Sequence, residues 1–228
     1  MSSPSRAPTR QLWNSEAGEG PAPNARPGMN LACRLLDVIV AISMAVVVAP
    51  LILAIVVIIK LESRGPVLFR QERLGRGRRP FRVAKFRTMH HGAGDGVHRD
   101  HIVALIASGR PAAKLAHDER VTRTGGFLRR TSLDELPQLW NVLRGDMSLV
   151  GPRPPIPYEV ERYPAHWHER FAVKPGITGL WQVTGRSEVS LQRMIELDIE
   201  YVRRRSVWFN TWILLRTVPA VLTGRGAG

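Results

Sequence analysis

Residues 38–59 read VIVAISMAVVVAPLILAIVVII, and this run decides what kind of protein the chain can form. Its 22 residues carry no charge, and Ser43 is the only clearly polar side chain among them. About 20 apolar residues are enough for a helix to cross the hydrocarbon core of a bilayer. The run therefore predicts a helix embedded in a membrane.

Two features leave the topology of this helix open. Pro50 lies inside the run, where it removes a backbone hydrogen bond and favours a kink. Both flanks are basic, and basic residues tend to stay on the cytoplasmic side of a membrane. If both flanks obey this rule, the helix enters the bilayer and returns, with arms of about 12 residues or about 18 Å each. The alternative is a single span with a proline kink, which membrane helices tolerate.

The segments on either side of the run differ in composition. Residues 1–29 are rich in Ser, Pro, Ala, Gly and Arg without apolar periodicity, which predicts a disordered tail. Residues 66–89 predict two short strands around a turn at 75–79 rich in Gly and Arg. Helices are expected at about 134–144 and 189–204, and the Trp-containing residues 207–222 suit either a membrane interface or a core.

These segments predict an α+β fold that is mainly helical. It comprises a re-entrant N-terminal membrane helix hairpin, a small β-hairpin and amphipathic interfacial helices. The expected organisation is a tail over 1–29, a re-entrant membrane helix over 30–60 and a catalytic domain at the cytoplasmic face over 61–228.

Charge and cysteine content narrow the classes of partner. The chain has 228 residues and a formal net charge of +14, which favours polyanions: nucleic acid, anionic lipid headgroups or nucleotide phosphates. A single cysteine, Cys33, excludes an internal disulfide and fits a reducing compartment. The arginines of residues 70–87 have few aromatic neighbours for nucleic-acid bases, so we expect them to face anionic lipid.

Residues 129–140, RRTSLDELPQLW, carry adjacent carboxylates at Asp134 and Glu135. One reading is structural: Ser132 and Glu135 match a capping box, and Pro137 fits the first turn of a helix. The apolar stripe of that helix would bury Leu139 and Trp140 and leave Asp134 facing solvent or a cleft.

The other reading is chemical. Arg129 precedes the pair, and Arg153 follows it in a proline-rich loop that could hold a phosphate bidentately. Nearby arginines favour the ionised aspartate that a nucleophile requires. Glu135 could hold Mg²⁺, which binds through one or two carboxylates and substrate phosphates.

Asp198 falls in the middle of an apolar helix face and so needs a partner, for which Arg186 is a candidate. This pair could be a structural ion pair or part of a functional site.

Four segments carry a resemblance to a known family: KFRTM (85–89), FLRRTSLDELPQLWNVLRGDMSLVGPRP (127–154), VKPGITGLWQVTGR (173–186) and ELDIEYV (196–202). Together they resemble the bacterial sugar transferases, which are monotopic phosphoglycosyl transferases also called polyprenyl glycosylphosphotransferases. The likeness extends over residues 31–222 except part of 90–118. Family members usually break the re-entrant helix at Ser-Pro, whereas this chain has Ala49-Pro50.

The resemblance implies a reaction and a set of site residues. Members transfer a sugar 1-phosphate from a nucleoside diphosphate sugar, usually a UDP-sugar, to polyprenyl (undecaprenyl) phosphate and release UMP, which starts exopolysaccharide, capsule or O-antigen assembly. By likeness, Asp134 is the nucleophile that carries the phosphosugar, and Glu135 holds Mg²⁺. Substrate-binding roles fall on Lys85, Arg129, Arg153, Arg186 and Asp198.

The resemblance also implies a place and partners. We expect the chain at the cytoplasmic face of the bacterial inner membrane, in contact with membrane lipid and without a nucleic-acid partner. The competing hypothesis is a membrane-tethered basic protein that binds nucleic acid or acidic lipid without catalysis.

Overall fold

The computed structural model describes residues 27–90, 120–185 and 189–222. These residues form a mainly helical α+β fold, as predicted, and its strands form two small sheets, of which only the β-hairpin was predicted. The helices are α1 (Pro27–Glu62), α2 (Arg123–Thr131), α3 (Gln138–Arg144), α4 (Pro157–Val160), α5 (Leu180–Thr184), α6 (Leu191–Arg204) and α7 (Val207–Leu222). The strands are β1 (Leu68–Leu74), β2 (Pro80–Phe86), β3 (Ser148–Val150) and β4 (Gly176–Thr178).

The apolar run forms one continuous helix, α1, of 36 residues with Pro50 inside it. Within the described residues, α1 is the one helix long and apolar enough to cross a membrane, judged by length and composition. Residues 27–29, predicted as part of a tail, are helical instead, and residues 1–26 lie outside the described residues. A hydrogen bond of 2.6 Å from Arg205 Nη1 to Asn30 Oδ1 holds this first turn against the rest of the protein.

One face of α1 packs against the rest of the protein, and the opposite face is exposed. The packed positions recur every three or four residues, as expected for one side of a helix, and include Ala41, Val48, Ile52 and Ile59. The exposed face is apolar and includes residues at 66–82% exposure: Val46, Val47, Leu53 and Leu61. An apolar face of this extent marks a contact with lipid or protein.

The predicted β-hairpin is confirmed. β1 and β2 pair antiparallel from Leu68↔Phe86 to Leu74↔Pro80. Gly77 has a φ of +63° in the connecting turn, a backbone conformation that glycine adopts without strain.

A second sheet lies at the centre of the protein. Its strands β3 and β4 are parallel and buried, with Ser148 opposite Gly176. The hydroxyl of Tyr201 on α6 donates to the carbonyl of Val150 at 2.9 Å, which ties α6 to β3. α6 covers the predicted helix at 189–204 and begins after Ser190, whose hydroxyl accepts from the Arg193 amide.

Helix α7 has one buried side and one exposed apolar side. Ile213 is fully buried in the core, whereas Trp208 is 81% exposed. Leu215 and Val218 are also exposed and extend an apolar strip along the helix from Trp208.

Candidate active site

The carboxylate pair lies in a short 3₁₀ turn, Leu133–Glu135, between α2 and α3. The predicted capping box is wrong: Ser132 has a φ of +58°, ends α2, and makes no side-chain capping bond. The predicted helix start at 134 is also wrong, because the helix begins at Gln138, directly after Pro137. The pair therefore lies at a break between two helices.

Helix α3 buries a different face from the one predicted. Leu139 is buried as expected, but Trp140 is 62% exposed. Asn141 is turned inward instead: its Nδ2 donates to the carbonyl of Arg82 at 2.8 Å, and its Oδ1 accepts from the Ala84 amide at 3.0 Å. These two bonds fix α3 to strand β2, and the apolar pattern of the helix does not predict them.

Lys85 on β2 reaches both carboxylates. Its Nζ lies 2.6 Å from Glu135 Oε1 and 3.9 Å from Asp134 Oδ2. Burial opposes ionisation of Glu135, but Lys85, followed by Arg153 and Arg73, outweighs it and lowers the pKa of this carboxyl. The structure thus places the predicted Lys85 directly in the site.

Asp134 has a different electrostatic environment. Its side chain is 13% exposed, and burial raises its pKa above the ordinary value, with a further contribution from the negative charge of Glu135. Lys85 and Arg129 oppose this rise without cancelling it. Burial therefore outweighs the guanidinium groups that were expected to dominate. A carboxylate with little solvation beside cations is well placed to act as a nucleophile.

Two arginines surround the pair from α2 and β1. Arg129, predicted from sequence, donates from Nε to Thr88 Oγ1 at 2.9 Å. Arg73 was not predicted as a site residue: it is 7% exposed and donates to the Pro154 carbonyl at 2.9 Å and to Gln71 Oε1 at 2.6 Å. Burial lowers the pKa of Arg73 to about 10.

The expectation that the arginines of 70–87 face lipid is wrong for two of them. Arg87, like Arg73, is buried, and its Nη2 donates to the carbonyl and hydroxyl oxygens of Ser63 at 2.8 Å each. Both arginines lie at the end of a hairpin strand, but strand alternation does not predict the burial of Arg73, because its neighbour Leu74 is buried as well. Arg73 directly precedes the buried end of β1 at Leu74, and Arg87 directly follows β2.

Arg153 projects from the proline-rich loop after β3 and is exposed, as a phosphate-binding side chain requires. Its backbone carbonyl accepts from Arg170 Nη2 at 2.7 Å. The same Nη2 lies 2.5 Å from Asp198 Oδ2. Arg170 is buried and was not predicted as a site residue. It connects the Arg153 loop to helix α6.

Asp198 pairs with Arg170, and Arg186, its candidate partner from sequence, lies outside the described residues. Asp198 is 1% exposed, and burial raises its pKa to about 7 although Arg170 opposes the rise. The Asp198 carboxylate thus supports the Arg153 loop through Arg170, which bonds to both. A substrate-binding role for Asp198 stays a prediction.

The carboxylate pair can also be compared with what Mg²⁺ needs. Within the described residues, no group of three or more His, Cys, Asp or Glu side chains is arranged to hold a metal ion. Mg²⁺ needs fewer, because substrate phosphates and water complete its shell. Lys85 bonds to Oε1 of Glu135, so Oε2 is the oxygen of this carboxylate that a Mg²⁺ ion could take, and magnesium binding stays a prediction.

Comparison with known proteins identifies the family of the chain. The family model for bacterial sugar transferases matches residues 29–224. The chain belongs to this family. The predicted family membership is therefore confirmed over most of the chain, including the carboxylate pair and all of α1 from residue 29.

Named relatives of the family extend the comparison. The chain is 46% identical over 224 residues to the UDP-glucose:undecaprenyl-phosphate glucose-1-phosphate transferase of Caulobacter vibrioides, covering 95% of this chain and 78% of that protein. It is 42% identical over 204 residues to the UDP-galactose-lipid carrier transferase of Erwinia amylovora, covering 85% of this chain but only 41% of that protein. It is 38% identical over 205 residues to the exopolysaccharide production protein ExoY of Sinorhizobium fredii, covering 89% and 90%.

Proposed function

We propose that the chain is a phosphoglycosyl transferase that moves a sugar 1-phosphate from a UDP-sugar to polyprenyl phosphate and releases UMP. The observation that carries the proposal is Asp134, a largely buried carboxylate beside Lys85 and Arg129 in a break between two helices. The names of the relatives from Caulobacter vibrioides and Erwinia amylovora support the substrate class. The product would begin a lipid-linked glycan such as an exopolysaccharide.

In the first step, a carboxylate oxygen of Asp134 attacks the sugar-bearing phosphorus. A bond forms between that oxygen and phosphorus, and the bond from phosphorus to the bridging oxygen breaks. UMP leaves with the bridging oxygen. Lys85, Arg129 and Arg153 offset the repulsion between the carboxylate and the phosphates and stabilise charge that develops on the phosphoryl oxygens.

In the second step, a phosphate oxygen of polyprenyl phosphate attacks the same phosphorus. The bond between phosphorus and Asp134 breaks, which returns the carboxylate and gives a polyprenyl diphosphate sugar. Splitting one displacement into two is the function of a covalent nucleophile. Glu135 would hold a Mg²⁺ ion, whose role is to neutralise phosphate charge.

We further propose that α1 is re-entrant, with both ends at the cytoplasmic face of the inner membrane. Arg34 near one end of α1 contacts α3, and Glu62 at the other end contacts α2. Both ends therefore contact the helices that flank the carboxylate pair. A spanning helix would separate these ends by a hydrocarbon core of about 30 Å. It would also draw the charged helices α2 and α3 into lipid, where charge is costly.

The nucleotide by-product and the Asp134→Asn variant test the proposed reaction. With UDP-sugar, Mg²⁺ and polyprenyl phosphate, we expect UMP from the wild type and a loss on the order of 10⁴-fold in the variant, because an amide is a poor nucleophile. Glu196→Gln, which changes a partly exposed carboxylate on α6, is the control and should keep wild-type activity.

UMP release that survives Asp134→Asn would contradict the assignment of the nucleophile. Release of UDP instead would indicate an ordinary glycosyl transfer. Binding of polyanions without either product, equally in wild type and variant, would favour the non-catalytic basic protein.

A further inference from the structure

Charged side chains near both ends of α1 contact the outer ends of the two helices that flank the carboxylate pair. Arg34 donates from Nη1 to the Val142 carbonyl at 2.5 Å and from Nη2 to the Leu143 carbonyl at 2.8 Å. At the other end of α1, a Glu62 carboxylate oxygen accepts from the Thr124 amide at 3.1 Å. Arg34 and Glu62 lie 28 residues apart on α1. Between the two points that they contact, Thr124 and Leu143, lies the chain segment that contains Asp134.

The signs of these charges match the helix ends that they contact. The last carbonyls of a helix have no partner within the helix and carry partial negative charge, while its first amides carry partial positive charge. Arg34 supplies a cation to the C-terminus of α3, and Glu62 supplies an anion to the N-terminus of α2. Each contact therefore stabilises the helix end as well as its position.

Further contacts hold both ends of α1 in place. Near Arg34, the Asp37 carboxylate accepts from the Ser148 hydroxyl at 2.8 Å and from the Leu149 amide at 2.9 Å. Near Glu62, Ile59 packs in a buried cluster with Leu128 of α2. A displacement of either end of α1 would thus move α2, or α3 and β3, with it.

The carboxylate turn depends on these helices for its position. The backbone bonds described between α2 and α3 are short-range ones, such as those from the Glu135 amide to the Ser132 carbonyl and from the Leu136 amide to the Leu133 carbonyl, at 3.2 Å each. Outside the turn, Glu135 contacts Lys85 on β2, and Leu133 and Leu136 pack against a buried cluster that includes Ile59 of α1 and Leu128 of α2. The placement of Asp134 consequently depends on how α1, α2, α3 and β2 are held together.

We propose that Arg34 and Glu62 are positioning residues, which hold α2 and α3 so that Asp134 points at the reacting phosphorus. This inference rests on the proposed function, since it assigns the two residues to the first step of that reaction. It gives α1 a second role besides membrane attachment: the helix that enters the lipid also sets the geometry of the nucleophile.

Rapid-quench measurement of UMP release from UDP-sugar without polyprenyl phosphate tests this role. The burst amplitude reports the fraction of enzyme molecules that are active, and the burst rate constant reports how well Asp134 is placed. For Arg34→Met and for Glu62→Ala we expect the rate constant to fall about tenfold with full amplitude, because small misplacements of a reacting group are costly. Glu62→Gln, which keeps an acceptor oxygen for the Thr124 amide, should recover part of the rate.

Lys60→Met is the matched control, because Lys60 is an exposed cation on the same helix that donates only to the Gly65 carbonyl among the described residues. It should leave both burst parameters unchanged. Wild-type rate constants in Arg34→Met and Glu62→Ala, or a loss of amplitude alone, would overturn the positioning role. Absence of a burst in the wild type would instead overturn the two-step reaction, and this is visible before any α1 variant is measured.

Discussion

At the scale of single residues, the ion pair of Arg170 and Asp198 supports the site without facing it. Both side chains are almost fully buried, with 5% and 1% exposure, and Arg170 also donates to the Arg153 carbonyl. Removing one member of such a pair leaves the other charge buried without compensation. The pair therefore links the stability of the fold to the position of the Arg153 loop.

Asp198→Ala is expected to lower the free energy of unfolding by about 3 to 5 kcal/mol, because Arg170 then stays buried without its counter-charge. Chemical denaturation in detergent measures this change. Glu200→Gln is the matched control on the same helix, since Glu200 forms an exposed pair with Arg204 that contributes roughly 0.5 kcal/mol. An Asp198→Ala protein as stable as Glu200→Gln would contradict the structural role.

Residue identity predicted part of the site. The sequence singled out Asp134, Glu135, Lys85, Arg129 and Arg153, and the structure brings the first four together, with the Arg153 charge close enough to lower the pKa of Glu135. Arg73 and Arg170 were missed because their burial depends on contacts across the fold, which a strand or helix pattern does not encode. The same limit explains why the Arg170 partner of Asp198 was not predicted.

At the scale of elements, α2 packs closely against Thr88, which follows β2, and this contact positions Arg129. Gly125 on α2 lies against Thr88, and a Cβ atom there would be 2.1 Å from the Thr88 carbonyl oxygen. Met89 and Val121 form a β-bridge beside this contact. Only glycine permits the helix to come this close.

Gly125→Ala is therefore expected to push α2 away from Thr88, break the bond from Arg129 to Thr88 and lower kcat by roughly 10 to 10² fold. Gly126→Ala is the control one residue away, since its Cβ would meet only Arg130 Nη1 at 3.7 Å. The control should gain up to about 1 kcal/mol of stability from helix propensity. Equal activity in the two variants would contradict the importance of this contact.

Element types were predicted better than element ends. The hairpin and α6 follow from strand alternation, turn glycines and helical periodicity, and these local signals survive in the fold. The start of α3 did not follow, because the Ser-x-x-Glu pattern around 132–135 is formed by a left-handed residue and a 3₁₀ turn. Asn141, turned towards β2, explains why Trp140 is exposed instead of buried.

At the scale of the whole molecule, the apolar face of α1 and the exposed apolar strip of α7 give the protein an asymmetric surface. Residues such as Val47 and Trp208 are more than three-quarters exposed, whereas the side chain of Asp134 is 13% exposed. The sequence predicted the apolar helix from its length but left re-entry and spanning open. A continuous helix that contains Pro50 can either span the bilayer or re-enter it. Re-entry is therefore inferred from the contacts of Arg34 with α3 and of Glu62 with α2.

Single cysteines at Gly28 and Arg64, introduced in a Cys33→Ala background, test the topology. Both positions are exposed, and they lie at opposite ends of α1. With a membrane-impermeant thiol reagent, we expect neither to react in spheroplasts and both to react in inverted inner-membrane vesicles, because a re-entrant helix keeps its ends on one face. Opposite accessibility of the two cysteines would mean a true span.

The central claim is that Asp134 becomes covalently linked to a sugar phosphate. Intact-protein mass spectrometry after incubation with UDP-sugar and Mg²⁺, without polyprenyl phosphate, measures this directly. We expect a mass increase of one sugar phosphate located on the peptide that contains Asp134, and loss of the adduct when polyprenyl phosphate is added. A preparation that turns over with polyprenyl phosphate but never carries such an adduct would contradict the account.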